Sequence, residues 1–349
     1  MKKIRVAIIG ASGYTGVELI RLLNNHPHVE ICQLIGNNTA DSQPNELYNH
    51  LYNFNLPKLK KLEQVNFAEI DVVFGCLPHT VSQAIFKKIL SDQNNQHLKI
   101  IDLSADFRFE NPHDYTQWYG HEHLAVEIQQ QAVYGLSEIN RDKIRKAKII
   151  ACPGCYPSSA LLPLIPLLKN QLIENNNIII DSKSGVSGAG RNAKISNLFC
   201  EINSSFKAYS IGKHRHIGEI QQELSKASGS KIKVDFTPHL LPVNRGIIST
   251  IYTKLNSNIT IQDVKNCLLT SYDDEYFVKV VDHEISLSDV VGTNFCLMAV
   301  NLGNNNNSVI ITSALDNLCK GASGQAVQNM NIIFDCDEKL GLEITPIFP

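Results

Sequence analysis

The opening of the chain limits its fold more than any other feature: the β-branched, apolar run Ile4–Ile9 passes at once into Gly10-Ala11-Ser12-Gly13-Tyr14-Thr15-Gly16. These glycines follow G-x-x-G-x-x-G, a variant of the turn by which a parallel strand enters a helix. Glycine lets the backbone come close to a bound pyrophosphate, and the first N–H groups of the helix then face the anion. The helix is supplied by positions 15–25, where Val17, Leu19, Ile20, Leu22 and Leu23 suit one buried side and His26-Pro27 ends it. With the next run, Val29–Ile35, this predicts a βαβ unit whose nucleotide site is built by Gly10, Ser12, Gly13, Tyr14, Thr15 and Gly16. Any tight strand-to-helix turn selects glycine, so the motif gains its weight from following the first strand directly.

The second run ends at Ile35-Gly36 and continues as Asn37-Asn38-Thr39. A site that prefers NAD places Asp or Glu here to hold the ribose 2′-hydroxyl; without one a 2′-phosphate is not repelled, and the cofactor expected is NADP. Further strands are expected at 72–76, 100–103 and 148–151. Beyond residue 150 strands at 178–181, 232–237, 247–252, 277–281, 295–300 and 309–312 follow with few helices between them, and 319–334 is again helical. The fold class expected is an α/β Rossmann dinucleotide-binding domain plus an α+β catalytic and dimerisation domain with a mostly antiparallel sheet. A chain of 349 residues is long enough for both. The boundaries expected are 1–154 with 317–349 for the first domain and 155–316 for the second.

The segment Ala151-Cys152-Pro153-Gly154-Cys155-Tyr156-Pro157-Ser158 lies between a strand and the apolar stretch 160–168. Pro157 suits the first turn of a helix, which sets Cys155 near the positive end of its dipole, a location that lowers a thiol pKa. A thiolate attacks carbonyl carbon, so Cys155 is the candidate nucleophile. Three plainer readings compete: a packed core cysteine, a C-x-x-C redox pair of Cys152 with Cys155, or half a zinc site. Zinc is the weakest, because no second C-x-x-C or C-x-x-H occurs, and no metal is expected. Thioredoxin-type pairs sit early in a small domain rather than behind a dinucleotide loop.

A thioester mechanism also needs acid-base groups, and His214-Arg215-His216-Ile217-Gly218-Glu219 offers two imidazoles, a guanidinium and a carboxylate. Glu219, three residues on, can orient His216 if the turn is helical; the plainer reading is a solvated turn. Phosphate recognition favours arginine forks, and Arg108, Arg191 and Arg245 are candidates, although isolated arginines more often sit in surface ion pairs. The formal charge of −2 gives none of the basic footprint of a nucleic-acid binder. No apolar run spans a bilayer and no leader pattern follows Met1. Nine cysteines, an odd number, argue for a reducing compartment. A cytoplasmic enzyme acting on small molecules is expected.

Taken together the segments resemble the N-acetyl-gamma-glutamyl-phosphate reductases, sister to the aspartate-semialdehyde dehydrogenases. The matching motifs are G-A-S-G-Y-T-G at Gly10, L-P-H at Leu77, D-L-S-A-D-F-R at Asp102, Y-G-L-S-E at Tyr134 and P-G-C-Y-P-S at Pro153. They continue with S-K-S-G-V-S-G-A-G-R at Ser182, H-R-H-x-x-E at His214, P-V-N-R-G-I at Pro242 and D-N-L-x-K-G-A-S-G-Q-A-V-Q-N at Asp316. The resemblance implies reduction of an acyl phosphate to a semialdehyde with release of phosphate. Cys155 matches the nucleophile and His216, with Glu219, the acid-base group; Ser187, Gly188 and Asn317 match segments lining the nicotinamide. Substrate contacts are expected from Arg108, Lys183, His214 and Arg245, and the assembly expected is a homo-dimer or homo-tetramer. The alternatives are a reductase of another acyl phosphate, such as aspartyl phosphate, and a nucleotide-binding redox sensor without turnover. The sequence departs from the family's pattern at Cys152, where a small or amide residue is common, and at Gly36-Asn37-Asn38, which replaces Ser-Arg.

Overall fold

Strand β1 (Ile4–Ile9) is an interior strand of an all-parallel sheet that also contains β2 (Val29–Ile35), β3 (Leu59–Lys60), β4 (Val72–Gly75), β5 (Lys99–Asp102), β6 (Ala132–Tyr134) and β7 (Ile149–Ala151). Their order is β3-β2-β1-β4-β5-β7-β6. The structure is a computed structural model that describes residues 3–305 and 307–346. A parallel sheet covered on both faces needs continuous apolar strands, and Val6, Ala7, Ile8, Val72, Val73, Phe74, Ile100 and Ile101 are all buried completely. The order reverses between β1 and β4, which makes the carboxyl end of β1 the switch point where sheets of this kind bind ligands. The helix Tyr14–Leu23 follows there, ending two residues short of the expected stop.

The helix Gly324–Ile333 returns to this sheet: Asn329 and Gln325 donate to the Gly135 carbonyl, and Asn331 bonds His26 at 2.9 Å. One compact unit therefore runs to Pro153 and resumes at Ala322–Glu343, while Gly154–Gly321 together with 344–346 forms the other, so Gly154 and 344–346 fall outside the first domain, where the sequence led us to expect them. Residues 316–321 group with the second unit because Asp316 and Asn317 are bonded to Arg245 and Gly246. Of the expected C-terminal segment, 347–349 lie outside the described residues.

The second unit has β8 (Ile178–Ser184), β9 (Lys207–Ala208), β10 (Val234–Leu240), β11 (Ile247–Lys254), β12 (Val278–Val280), β13 (Cys296–Leu302) and β14 (Ser308–Leu315), in the order β12-β13-β14-β11-β8-β10-β9. Its sheet is mixed. The β8/β10 and β12/β13 pairs are parallel, and the remaining pairs antiparallel. A parallel pair needs a crossover, which β8 to β10 makes through the helix His216–Ser228. Helices Cys155–Lys169, His216–Ser228 and Ile261–Ser271 pack against this sheet, more helix than the sequence reading expected. The first begins where Pro157 led us to expect a helix; it is buried from Tyr156 to Leu168 and carries Pro163 and Pro166, so it lacks the 3.6-residue alternation of a half-buried helix. Along β11 the alternation is plain: Ile247, Ser249, Ile251 and Thr253 face inward, while Tyr252 and Lys254 face out. Among the described residues no helix is long and apolar enough to cross a membrane.

Two buried carboxylates brace the ends of β4 and β5. Asp106 accepts from the Thr80 and Ser82 N–H groups, the Ser82 hydroxyl and Tyr115. Asp102 accepts from the N–H and hydroxyl of Ser104 and from Ser82. Burial pushes the Asp102 carboxyl up to about 7, and the charge of Asp106 adds to the shift against the Ser104 bonds. A folded-state pKa raised this way gives stability that is present below about pH 4 and lost as the pH rises through about 7. Asp102→Asn, which mimics the protonated group, should show a smaller fall in Tm between pH 5 and pH 8 than the wild type. An unchanged fall, measured by scanning calorimetry, contradicts this assignment.

Candidate active site

The glycine turn forms a cradle of the expected kind. Gly10 has φ +81°, and a Cβ there would stand 2.1 Å from the Cys76 carbonyl oxygen, so no other residue fits. The Gly13 N–H donates to Gly10, and the helical ladder begins with Val17 N–H on the Gly13 carbonyl at 2.9 Å. The N–H groups of Tyr14, Thr15 and Gly16 therefore precede the ladder at the positive end of the helix. Tyr48 donates to the Ser12 carbonyl and Ser323 to that of Thr15, both at 2.9 Å, fixing the turn from two sides. Asn37–Thr39 form a single turn of 3-10 helix after β2, with Asn37 and Asn38 exposed and Thr39 half-buried. A Cβ on Gly36 would stand 3.5 Å from the Ser12 hydroxyl, so the two strand ends lie side by side. A tight turn at a strand end, with the positive end of a helix behind it, suits the phosphates of a dinucleotide.

In the second unit, Cys155 is the first residue of the helix Cys155–Lys169 and half-buried. The extended Gly154 caps that helix, and its N–H donates to the buried Glu219 carboxylate at 2.8 Å. Glu219 lies in the first turn of the helix that His216 opens. One carboxylate thus joins the start of the cysteine helix to the start of the histidine helix, a contact between residues 65 apart that the spacing of His216 and Glu219 did not indicate.

His214 stands among Tyr156, Tyr209, Phe236 and His216, with ring centroids 4.7–5.7 Å away. Its Nδ1 accepts the His216 N–H at 3.2 Å, which caps the second helix. Burial takes the His214 imidazole down to about 4, and the Arg215 charge adds to this. It is a neutral ring at physiological pH with Nε2 as the protonated nitrogen. The Tyr156 and Tyr209 hydroxyls are 3.0 Å apart, and burial pushes Tyr209 up to about 12. Sequence reasoning did not single out either tyrosine.

The remaining candidates are placed as follows. Asn317 donates to the Ser187 hydroxyl at 2.9 Å and accepts the Gly246 N–H at 2.7 Å, so these two residues come together, with Gly188 exposed beside them. Arg245 forms a two-pronged ion pair with Asp316 at 2.9 and 3.1 Å. Arg108 is buried in the first unit and donates to the Cys152 and Leu103 carbonyls at 2.7 and 3.0 Å, which makes it a clamp on the strand ends. Arg191 is exposed. Lys183 departs from expectation. Strand alternation turns Ser182 inward, where its hydroxyl chain reaches Ser249 and Ser159 of the cysteine helix, and Lys183 outward, where it pairs with Asp181 at 3.1 Å. Cys152 is fully buried, and burial pushes its thiol up to about 12, the opposite of a reactive redox partner. Among the described residues no cluster suits a metal ion.

Comparison with known proteins places the two units in one class. The family model for the semialdehyde dehydrogenase NAD binding domain matches residues 5–147, and that for the semialdehyde dehydrogenase dimerisation domain matches 155–317. Aspartate semialdehyde dehydrogenase II of Vibrio cholerae, solved in complex with ASA, has the same fold: TM-score 0.72 over 96% of this chain and 99% of that one, at 18% identity. The aspartate semialdehyde dehydrogenase of Candida albicans, solved with NADP, gives 0.68 at 17% identity, over 95% and 99% of the two chains.

Sequence similarity is closer elsewhere. The N-acetyl-gamma-glutamyl-phosphate reductase of Rhodospirillum rubrum is 48% identical over 100% of this chain and 99% of its own length. The probable chloroplastic N-acetyl-gamma-glutamyl-phosphate reductase of Arabidopsis thaliana is 47% identical over 100% of this chain and 86% of its own. The chain belongs to the N-acetyl-gamma-glutamyl-phosphate reductase family.

The site geometry makes one prediction about charge. In an NMR titration of the labelled imidazoles, His214 should stay neutral until the pH approaches about 4. A midpoint above pH 6 would show that the aromatic cage does not exclude the charged ring.

Proposed function

We propose that this chain reduces N-acetyl-gamma-glutamyl phosphate to N-acetylglutamate semialdehyde, with NADPH as reductant and a thioester on Cys155 as intermediate. The observation that carries the reading is the position of Cys155 at the start of a buried helix whose cap, Gly154, is held by Glu219 beside His216. In the first step the Cys155 sulfur, as thiolate, adds to the acyl-phosphate carbon, and His216 takes the proton if the thiol still carries it. The C–O bond to phosphate breaks, and phosphate departs toward the Arg245 guanidinium, whose Nε and Nη2 are held by Asp316. The nicotinamide cofactor, when bound in the glycine cradle, supplies the hydride. His216 then hydrogen-bonds the oxyanion, taking back any proton it lends, and as the C–O double bond re-forms the C–S bond breaks, which frees the aldehyde and returns the thiolate. Helix N–H groups after Cys155 can bind the developing oxyanion. Sulfur suits both halves, being a strong nucleophile and a good leaving group.

The roles of the other residues follow from their positions. Glu219 is assigned to hold both helix starts, His214 to donate Nε2–H to substrate as a neutral ring, and Ser187, Gly188 and Asn317 to border the nicotinamide. NADP is assigned because the turn Asn37–Thr39 offers amide and hydroxyl donors and no carboxylate. Neutral donors bind phosphate about half as strongly as charged ones, so the preference is shallow. A homo-dimer or homo-tetramer built on the second sheet is supported by the exposed Ile179 and Tyr252 on its outer face and by the match to a dimerisation domain.

A single assay series tests substrate and cofactor: phosphate-dependent oxidation of N-acetylglutamate semialdehyde and of aspartate semialdehyde, each with NADP and NAD. The N-acetylated aldehyde with NADP should give the highest kcat/KM, and Asn37→Asp should shift the ratio toward NAD. Preference for aspartate semialdehyde overturns the substrate assignment. A wild type that favours NAD, or an Asn37→Asp enzyme whose ratio does not move, overturns the ribose reading.

A further inference from the structure

Strand β14 ends at Leu315, and the chain then enters a π-helical stretch, Cys319–Ser323. Such turns are rare and recur at functional sites, because their geometry is poorer than that of an α-helix and something else has to hold them. Here the closing bond runs from the Gly321 N–H to the Asp316 carbonyl at 2.9 Å. The Asp316 side chain holds the same turn: Oδ1 accepts the N–H groups of Leu318 and Cys319 at 2.7 and 3.0 Å, while Oδ2 accepts that of Gly292 at 2.7 Å. Both prongs of the Arg245 guanidinium complete the set. A carboxylate removed wholly from water is costly unless donors surround it, and here they do.

Two parts of the candidate site are bonded to this carboxylate. One is the turn itself, which lies against the nucleophile: a Cβ on Gly321 would stand 2.8 Å from the Cys155 Cβ and 3.2 Å from its Cα. Position 321 therefore has no room for a side chain while Cys155 sits where it does. The other is Arg245, whose fork is aimed by Asp316 and which also reaches the Cys319 sulfur at 3.4 Å.

We propose that Asp316 is a positioning residue for the cysteine chemistry, aiming the Arg245 guanidinium at the phosphate and holding the Gly321 turn against Cys155. It touches no reacting atom itself. The proposal rests on the acyl-phosphate reading above, and it separates cleanly from a purely electrostatic role. Asp316→Asn removes a negative charge next to Arg245, so charge alone would tighten phosphate and lower its KM. Loss of aim has the opposite sign.

The test uses the full-length enzyme in the phosphate-dependent oxidation of N-acetylglutamate semialdehyde, normalised to folded protein. Asp316→Asn should raise the KM for phosphate and lower kcat, each about tenfold or more, the usual scale for losing a charge-assisted bond, while the KM for NADP stays put. A phosphate KM that is unchanged or lower overturns the proposal. Should Asp316→Asn fail to fold, Arg245→Lys keeps the charge and loses the fork. It should raise the phosphate KM in the same way, and an unchanged value is equally fatal.

Alkylation of Cys155 by iodoacetamide, followed by mass spectrometry, needs no turnover. Asp316→Asn should slow it about fivefold or more, since a sulfur moved from the helix start loses thiolate character, and equal rates contradict the holding role. An inactive wild type contradicts the proposed function. An active wild type whose variants keep its phosphate KM contradicts only the role of Asp316.

Discussion

The chemistry assigned to this protein depends on one buried contact, the Gly154 N–H on the Glu219 carboxylate. The first N–H groups of a helix have no partner within it, and burying them unpaired would be costly. Glu219 satisfies the cap residue and in doing so locks the cysteine helix to the histidine helix. Cys155 and His216, the proposed nucleophile and proton acceptor, are therefore positioned by the same bond. His214 repeats the device one turn away by accepting the His216 N–H. Its cost is a ring that burial keeps neutral, which suits the proposed role of a hydrogen-bond donor that leaves the proton transfer to His216.

The second constraint is the tight passage from β1 into its helix, and it works without side-chain chemistry. Gly10 passes against the Cys76 carbonyl and the helix start is left open, so recognition of a pyrophosphate falls to backbone groups. What distinguishes one dinucleotide from another is then left to the short turn after β2. There this chain has asparagines in place of either the acid of an NAD site or the arginine of a firm NADP site.

Features with a local physical cause were legible in the sequence. The glycine turn, the helix behind it, the core strands of the parallel sheet and the placement of Cys155 at a helix start could all be read from neighbouring residues. Features set by distant partners could not. Nothing near Arg245 indicates that Asp316, 71 residues on, holds its guanidinium. Pro157 announced the start of the helix Cys155–Lys169, but the helix is buried on every side, so no periodicity announced what it packs against. Lys183 was misplaced for a different reason, since the alternation of β8 was available and puts Lys183 on the opposite face from Ser182. The redox reading of Cys152 was open in the sequence because spacing alone cannot report burial. The family motifs supplied the order of the segments, and the contacts between them supply the reasons for that order.

The central claim is the covalent bond to Cys155, and the most direct test is to look for it. Wild-type enzyme given N-acetylglutamate semialdehyde and NADP without phosphate should accumulate the N-acetylglutamyl thioester, because the aldehyde is oxidised while the acceptor that would release it is missing. Mass spectrometry of the quenched protein should locate the added acyl group on the Cys155 peptide, and added phosphate should discharge it. The Cys155→Ser protein should carry no such group and Cys152→Ser should carry it as the wild type does. An adduct on another residue, or full turnover by the Cys155→Ser enzyme, would contradict the account.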